Sequence, residues 1–453
     1  MRPAPKRCAE RGSYGRTSGW ARKGRGDGVL DERKAVRSWI LYDWANSAFA
    51  TTVMAAVMPT FYGSVAAVGL AEGRASAYWG FTQTTAAIVV ALLSPLLGAI
   101  ADHTGGKKKF LAFFTWLGAL ASCGMFAIGE GDWLLASVLV VIGMVGFGAG
   151  NTFYDALLND VASPSRRERV SARGFAAGYL GGGVLLAVNL ALILAPGTFG
   201  IPDKTMATRI SFFSVGLWWL LFSLPLFRNV KEPKPHAAKA EPAARLFMTG
   251  VRRLRDTLAG IKRYPELFKF MVAYWFFFDG INTIIVMATS YGTDIGLEQQ
   301  HLIAALLLTQ IVGFPATWLF GKLADRLGGF KMLYAALTVY LVIVVLGYFM
   351  TNAAHFYALA ILVGLVQGGA QSTSRAIYSK LIPPDRTAEF NGFLSFSSRF
   401  FSLAGPLAFA VVGLATGSSR PAILAISAFF FIGIALLATV NYKKGCEEAA
   451  TRS

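Results

Sequence analysis

The stretch Gly98-Ala-Ile-Ala-Asp102-His-Thr-Gly-Gly106 is answered 223 residues later by Gly321-Lys-Leu-Ala-Asp325-Arg326-Leu-Gly-Gly329. Each closes a long apolar run and leads into lysine, Lys107–Lys109 in the first copy and Lys331 in the second. Two further echoes keep the same order along the chain. Gly148-Ala-Gly-Asn151 with Pro164-Ser-Arg166 matches Gly368-Gly-Ala-Gln371 with Pro384-Asp-Arg386 at an offset of 220. Asp43-Trp-Ala-Asn46-Ser47 matches Asp279-Gly-Ile-Asn282-Thr283 at an offset of 236. The larger offset places a longer loop between the first two segments of the first half. Three echoes in order and in parallel orientation make the chain a tandem repeat of two halves.

Composition says what surrounds those halves. Hydrophobic residues make up 55% of the 453 and charged residues 15%, with a mean hydropathy of +0.51. A soluble domain carries roughly 45–50% apolar and about 25% charged residues, so lipid is the solvent here. That excludes a soluble enzyme, a nucleic-acid binder and a disordered scaffold as whole-chain readings. About 20 apolar residues cross the hydrocarbon layer as a helix. Twelve such runs occur, near 38–62, 76–101, 109–129, 132–156, 171–195, 209–228, 266–290, 301–324, 330–351, 354–380, 390–416 and 420–441.

Lysine and arginine set the orientation. With both termini in the cytoplasm, 39 of the 43 basic residues fall on the inner side, leaving Arg74, Lys204, Arg209 and Arg420 outside. This positive-inside bias accounts for the net charge of +18 without nucleic acid. The expected organisation is a disordered basic tail (1–37), a six-helix bundle (38–228), a cytoplasmic linker (229–265), a second six-helix bundle (266–441) and a cytoplasmic tail (442–453). Within the linker, Phe247, Val251, Leu254, Leu258 and Ile261 recur at helical spacing among Arg252, Arg253, Arg255, Lys262 and Arg263. That pattern predicts an amphipathic helix on the inner leaflet.

GxxxDxxG followed by basic residues resembles the loop signature of the major facilitator superfamily, and the resemblance extends over all twelve spans. Leu41-Tyr-Asp-Trp-Ala-Asn-Ser-Ala-Phe49, Gly174-Phe-Ala-Ala-Gly178-Tyr-Leu-Gly-Gly182 and Gln367-Gly-Gly-Ala-Gln371 with Ser374-Arg375 narrow it. They are similar to the subfamily typified by the fungal vacuolar amino-acid effluxer and its bacterial relatives. The resemblance implies an all-α membrane protein of two pseudo-symmetric six-helix bundles around a central cavity, working by alternating access. It also makes spans 1, 4, 7 and 10 the cavity-lining helices.

Intramembrane polar residues are costly and mark function. Here they pair at helical spacing: Asp43 with Asn46, Asn151 with Asp155, Asp279 with Asn282, and Gln371 with Arg375. These eight are the substrate and coupling candidates. Asp279, midway along its span beside Tyr274, Trp275 and Phe276–Phe278, is a candidate for carrying a proton or meeting a substrate amino group. The competing reading is a structural carboxylate bonded to a neighbouring helix. The cytoplasmic gate candidates are Asp102, Lys107, Asp160, Asp325, Arg326 and Lys380. Lys107–Lys109 are expected to reach Asp155 or Asp160. At offset 220, Asp155 aligns with Arg375 and Asp160 with Lys380, which predicts attraction between Asp155 and Arg375 across the gate. The competing pairing keeps each within its own half, Arg375 with Asp325 or Asp385. Gly174, Gly178 and Gly182 form a small-residue ridge for helix packing.

His103, His236, His301 and His355 divide between the two sides, so no metal site is expected. With no GxxxxGK[ST] in the sequence, no ATP motor is expected in this chain. Cys8, Cys123 and Cys446 suggest no disulfide framework. The expectation is a cofactor-free secondary transporter, not an enzyme, acting as a monomer in a bacterial inner membrane and driven by protons. Efflux of amino acids or similar small polar metabolites is what the subfamily resemblance implies. Export of amphipathic drugs is the alternative, and a lipid scramblase or non-transporting receptor the alternative of another class.

Overall fold

A computed structural model describes residues 27–70, 74–104, 106–232, 263–295, 297, 299–402 and 404–451. The expected linker helix at 247–261 lies outside the described residues. Twelve helices have the length and apolar content of membrane spans: α1 (Glu32–Ala66), α2 (Tyr78–Asp102), α3 (Lys107–Ala127), α4 (Trp133–Val161), α5 (Pro164–Leu194), α6 (Lys204–Asn229), α7 (Pro265–Ala288), α8 (Ala304–Leu327), α9 (Gly329–Tyr348), α10 (Ala353–Leu381), α11 (Pro384–Gly413) and α12 (Arg420–Ala438). Among the described residues there is no strand. This is the outcome hydrocarbon imposes, since a helix satisfies its own backbone polar groups.

The buried apolar side chains divide by half. One cluster runs from Tyr264 to Leu437 and draws wholly on α7–α12 and their approaches. Two others, around Trp39, Phe114 and Phe153 and around Phe49, Phe212 and Trp219, belong to α1–α6 with Ala388 added from α11. Large apolar residues such as Phe81, Leu92, Phe113, Leu221, Ile311 and Phe431 point outward. In lipid they are solvated there, and packing rather than hydrophobic exclusion joins the helices.

One departure from the sequence expectation and two features beyond it have physical causes. The helix of α1 begins at Asp27, inside the stretch expected to be disordered. Its early turns are tied down by Ala35 and Ser38, both buried, and by a 2.8 Å pair between Glu32 and Arg166. The 442–453 tail forms a further helix, α13 (Tyr442–Thr451). Glu266 of α7 accepts the Asn441 N–H just ahead of it at 2.7 Å. Finally, α11 is broken into Thr387–Phe401 and Ala404–Thr416. Pro406 lacks an N–H and its ring collides with the carbonyl four residues earlier, at Ser402.

The two halves meet along quasi-equivalent seams, α2 on α11 and α5 on α8. Glycines set how closely the helices approach. A Cβ on Gly98 would collide with the Ala388 carbonyl, one on Gly392 with the Ser94 carbonyl, and one on Gly321 with Ala172. Gly98 and Gly321 are the first residues of the two repeated loop motifs, so the motif opens with the helix contact.

Candidate functional site: an ion-pair lattice between the halves

Arg375 leaves α10 near the end of the molecule that carries the basic loops and enters the first half. Its Nε donates to Ser171 Oγ at 2.9 Å, and Nη1 to Asp155 Oδ1 at 3.0 Å. Nη2 donates to Asp43 Oδ2 at 3.3 Å and to the Ser171 carbonyl at 3.1 Å. Tyr154 also donates to Asp43 Oδ2, at 2.9 Å. The guanidinium carbon lies 4.3 Å from the Phe175 ring centroid and 4.8 Å from that of Trp39. One cation of the second half thus sits between carboxylates on α1 and α4, with aromatic faces around it.

The small-residue ridge of α5 makes room for this. Gly174 faces Asp43, Gly178 faces Ser47, and Gly182 faces Thr51. A Cβ on Gly174 would lie 2.7 Å from Asp43 Oδ2 and 3.2 Å from Arg375 Nη2. One turn back, Ser171 accepts from Arg375 and donates its hydroxyl to the Ser372 carbonyl at 2.8 Å. Deeper along the same faces, Asn46 Nδ2 donates to Asn151 Oδ1 at 2.7 Å.

Closer to the basic end, further contacts cross between the halves. Lys380 pairs with Glu168, and Arg167 Nη1 donates to the Ser379 carbonyl at 2.6 Å. That carbonyl belongs to the last turn of α10, where no intrahelical donor remains. Asp102 Oδ2 accepts the Glu389 backbone N–H at 2.8 Å, in the first turn of the helix starting at Thr387, where free N–H groups and the helix dipole favour an anion. Asp325 pairs with Arg169 at 2.5 Å. Residues 169 and 389 are equivalent at the 220-residue offset, so the two motif aspartates reach quasi-equivalent positions. One finds a side chain there and the other a backbone N–H.

The structure therefore joins Asp155 to Arg375, and neither Asp325 nor Asp385 takes that guanidinium. Lys107 pairs with Asp160 at 3.1 Å and with Asp102 at 3.7 Å, while Lys380 turns to Glu168. Arg326 is exposed and joins none of these pairs. Gln371 and Asn282 are half-buried and join none of these hydrogen bonds or ion pairs. Asp279 is 2% exposed, and its Oδ2 accepts the Gly405 N–H at 2.7 Å, at the start of the second piece of α11. Its Oδ1 has no hydrogen-bond partner among the described residues. That is the neighbouring-helix arrangement, with Thr283 of the same helix beside the second oxygen. Glu168, Arg167, Arg169 and Ser171 were not singled out by sequence. The signal for them was the run of charges after Pro164, readable as a loop face but not as a set of partners.

Comparison with known proteins bears on the family and the fold. A family described as "Vacuole effluxer Atg22 like" matches residues 31–450. The "Uncharacterized MFS-type transporter YxiO" of Bacillus subtilis is 40% identical, over 90% of this chain and 95% of that one. Autophagy-related protein 22-1 of Penicillium rubens is 22% identical, over 84% of this chain and 77% of that one. Among solved structures, the human organic anion transporter MFSD10 superposes with a TM-score of 0.70 at 14% identity, covering 90% of this chain and 99% of that one. The transporter FucP in its outward conformation gives a TM-score of 0.66 at 14% identity, with 91% and 99% covered. At such identities the likeness concerns the fold alone. The match over nearly the whole chain, with twelve spans in two repeated halves, places this multi-pass membrane protein in the Atg22-like family of major facilitator transporters.

Proposed function

We propose that this protein is a proton-coupled exporter of amino acids or similar small polar metabolites. It works as a monomer in a bacterial inner membrane, with both termini and the basic end in the cytoplasm. The carrying observation is Arg375 of α10 held by Asp155 and Asp43 of the first half. The contact lies at one end of the molecule and is supported there by Lys380–Glu168 and Arg167–Ser379. Under this reading the cytoplasmic gate is shut and the molecule faces outward. Opening inward requires the whole lattice to part, as alternating access demands. The family's effluxer description supports the direction, and the Bacillus relative supports the bacterial membrane.

Asp279 is the proposed proton carrier. It is buried, no cation pairs with it among the described residues, and its second oxygen has only the Thr283 hydroxyl beside it. A proton on it would weaken the hold on the Gly405 N–H, and with it the start of the second piece of α11. The test is reconstitution of wild type and Asp279→Asn in proteoliposomes. The variant is expected to lose proton-gradient-driven accumulation while retaining substrate exchange, which requires no net change in protonation. Retention of wild-type gradient-driven accumulation would remove Asp279 from coupling.

A further inference from the structure

Arg399 stands near the middle of α11, away from the lattice at the basic end. One face of its helix is fixed to α7. Trp275 donates to Ser397 Oγ at 3.0 Å and stacks on Phe401 with ring centroids 4.4 Å apart. Residues two apart on a helix point to roughly opposite sides, so Arg399, between those two, is turned toward the first half. There it lies against α4 at Gly148, where a Cβ would come within 2.6 Å of Arg399 Nη2 and 2.9 Å of Val90 on α2. Gly148 leaves space for a guanidinium, and it belongs to the Gly-Ala-Gly-Asn segment that repeats in the second half.

Among the described residues nothing neutralises this cation. Arg399 Nε is buried with no hydrogen-bond partner, and no carboxylate pairs with the residue among the described residues. Glu389, ten residues back on the same helix, is paired with Arg386, and the acids of the helices around Arg399 are engaged elsewhere. Asp155, two turns along α4 from Gly148, is bonded to Arg375. Asp279 is bonded to the Gly405 N–H. The first acid on α2 is Asp102, which is held by Lys107 and the Glu389 N–H. The contrast with Arg375, which has four hydrogen bonds, is complete. A charged side chain at mid-membrane depth without a partner is costly and marks a ligand path. Asn151, three residues past Gly148 and on the same side of α4, is half-buried. Its oxygen is held by Asn46, which leaves its NH2 as a donor.

We propose that Arg399 is the substrate's anion site, taking a carboxylate of the transported molecule with Asn151 as an accessory donor. A guanidinium meets a carboxylate through two parallel N–H···O bonds, and the ligand supplies the counter-charge that the described residues do not. The inference rests on the transport reading and narrows its substrate class to carboxylates.

The experiment is thermal unfolding of the full chain in nanodiscs against a panel of the twenty amino acids, short monocarboxylates and the alcohol matching each hit. Wild type is expected to be stabilised by one or more carboxylates and not by the matching alcohol. Arg399→Gln should weaken that response about 10- to 100-fold, and Arg399→Lys should keep part of it. Without ligand, Arg399→Gln should melt no lower than wild type, because it removes a half-buried charge that has no ion-pair partner among the described residues. A purely structural arginine predicts the reverse. Hits confined to monocarboxylates support the Arg399 site while overturning the amino-acid reading. Amino-acid hits that persist in Arg399→Gln overturn the site and leave that reading intact. Absence of any carboxylate response, or an equal response to the alcohol, also overturns the site.

Discussion

Removing one carboxylate from the Arg375 cluster should shift the protein between its two conformations, and the geometry bounds the shift. Arg375 and Asp155 approach to 3.0 Å. At an effective dielectric of about 20 this is an attraction of about 5–6 kcal/mol before desolvation. Taking the charges from water offsets most of it. Asp155 is also the less sheltered partner, its side chain 33% exposed against 11% for Arg375 and Asp43. The net contribution is about 1–3 kcal/mol, or roughly 5- to 150-fold in a two-state equilibrium. Asp155→Asn should therefore populate the form open at the basic end by a factor in that range. Spin labels at the exposed positions Lys109 and Arg326, in a chain whose three cysteines have been replaced, would report the longer distance. A distribution identical to the unsubstituted protein's would show that the pair does not hold the gate.

Charge exchange sharpens the test, because the cluster has three members. Asp155→Arg with Arg375→Asp restores one pair but sets a carboxylate against Asp43, which lies 3.3 Å from the present guanidinium. That double exchange should remain inactive. Adding Asp43→Asn removes the repulsion and leaves an oxygen to accept from Tyr154, so the triple variant should recover part of the transport. Recovery in the double variant, or none in the triple at normal membrane abundance, would refute the three-body arrangement.

Two further outcomes follow from the fold. Gly98→Ala and Gly392→Ala each drive a methyl group into the backbone of the opposite half, so both should shift the label distance toward the open form and slow transport. Wild-type distances in both would mean the α2–α11 seam yields more easily than its packing indicates. Cys446, on α13 at the basic end, should resist a membrane-impermeant thiol reagent in intact cells and react once the cells are opened; labelling from outside would invert the proposed orientation.

Much of this was legible because the bilayer simplifies the reading. Span length, the sidedness of lysine and arginine, and the 220-residue register are one-dimensional signals, and they placed Asp155 opposite Arg375 correctly as a pair of aligned positions. What escaped were contacts that depend on which neighbour wins a shared partner. Lys107 takes Asp160, which leaves Lys380 to Glu168. Glu168 aligns with Ala388 at offset 220, so no charge pattern across the repeat could have exposed it. For Asp279 the depth was readable and the partner was not, because the break in α11 that frees the Gly405 N–H follows from Pro406 meeting the preceding turn of its helix. Arg399 was hidden by the very tally that oriented the chain. Counted with the basic residues of one side, it is one charge among 39; placed on its helix, it is a mid-span cation.

The repeat also shows where its symmetry stops. Asp102 and Asp325 occupy the same place in the two motifs and reach positions 389 and 169, themselves equivalent, yet the contacts differ in kind. Asp102 binds a backbone N–H at a helix start, a donor fixed by the fold, and its side chain is 1% exposed beside Lys107. Asp325, itself 15% exposed, relies on the Arg169 side chain, which is 49% exposed. The first contact is rigid and sheltered, the second adjustable and screened. A gate built this way need not part symmetrically: the α5–α8 seam releases an ion pair whose cation is half in solvent, while the α2–α11 seam must strip a more deeply buried carboxylate from a helix N-terminus. Opening at the basic end should therefore begin along α5 and α8 and pivot on α2 and α11, with Arg375, bonded to Ser171 of α5 as well as to both aspartates, as the contact that couples the two seams.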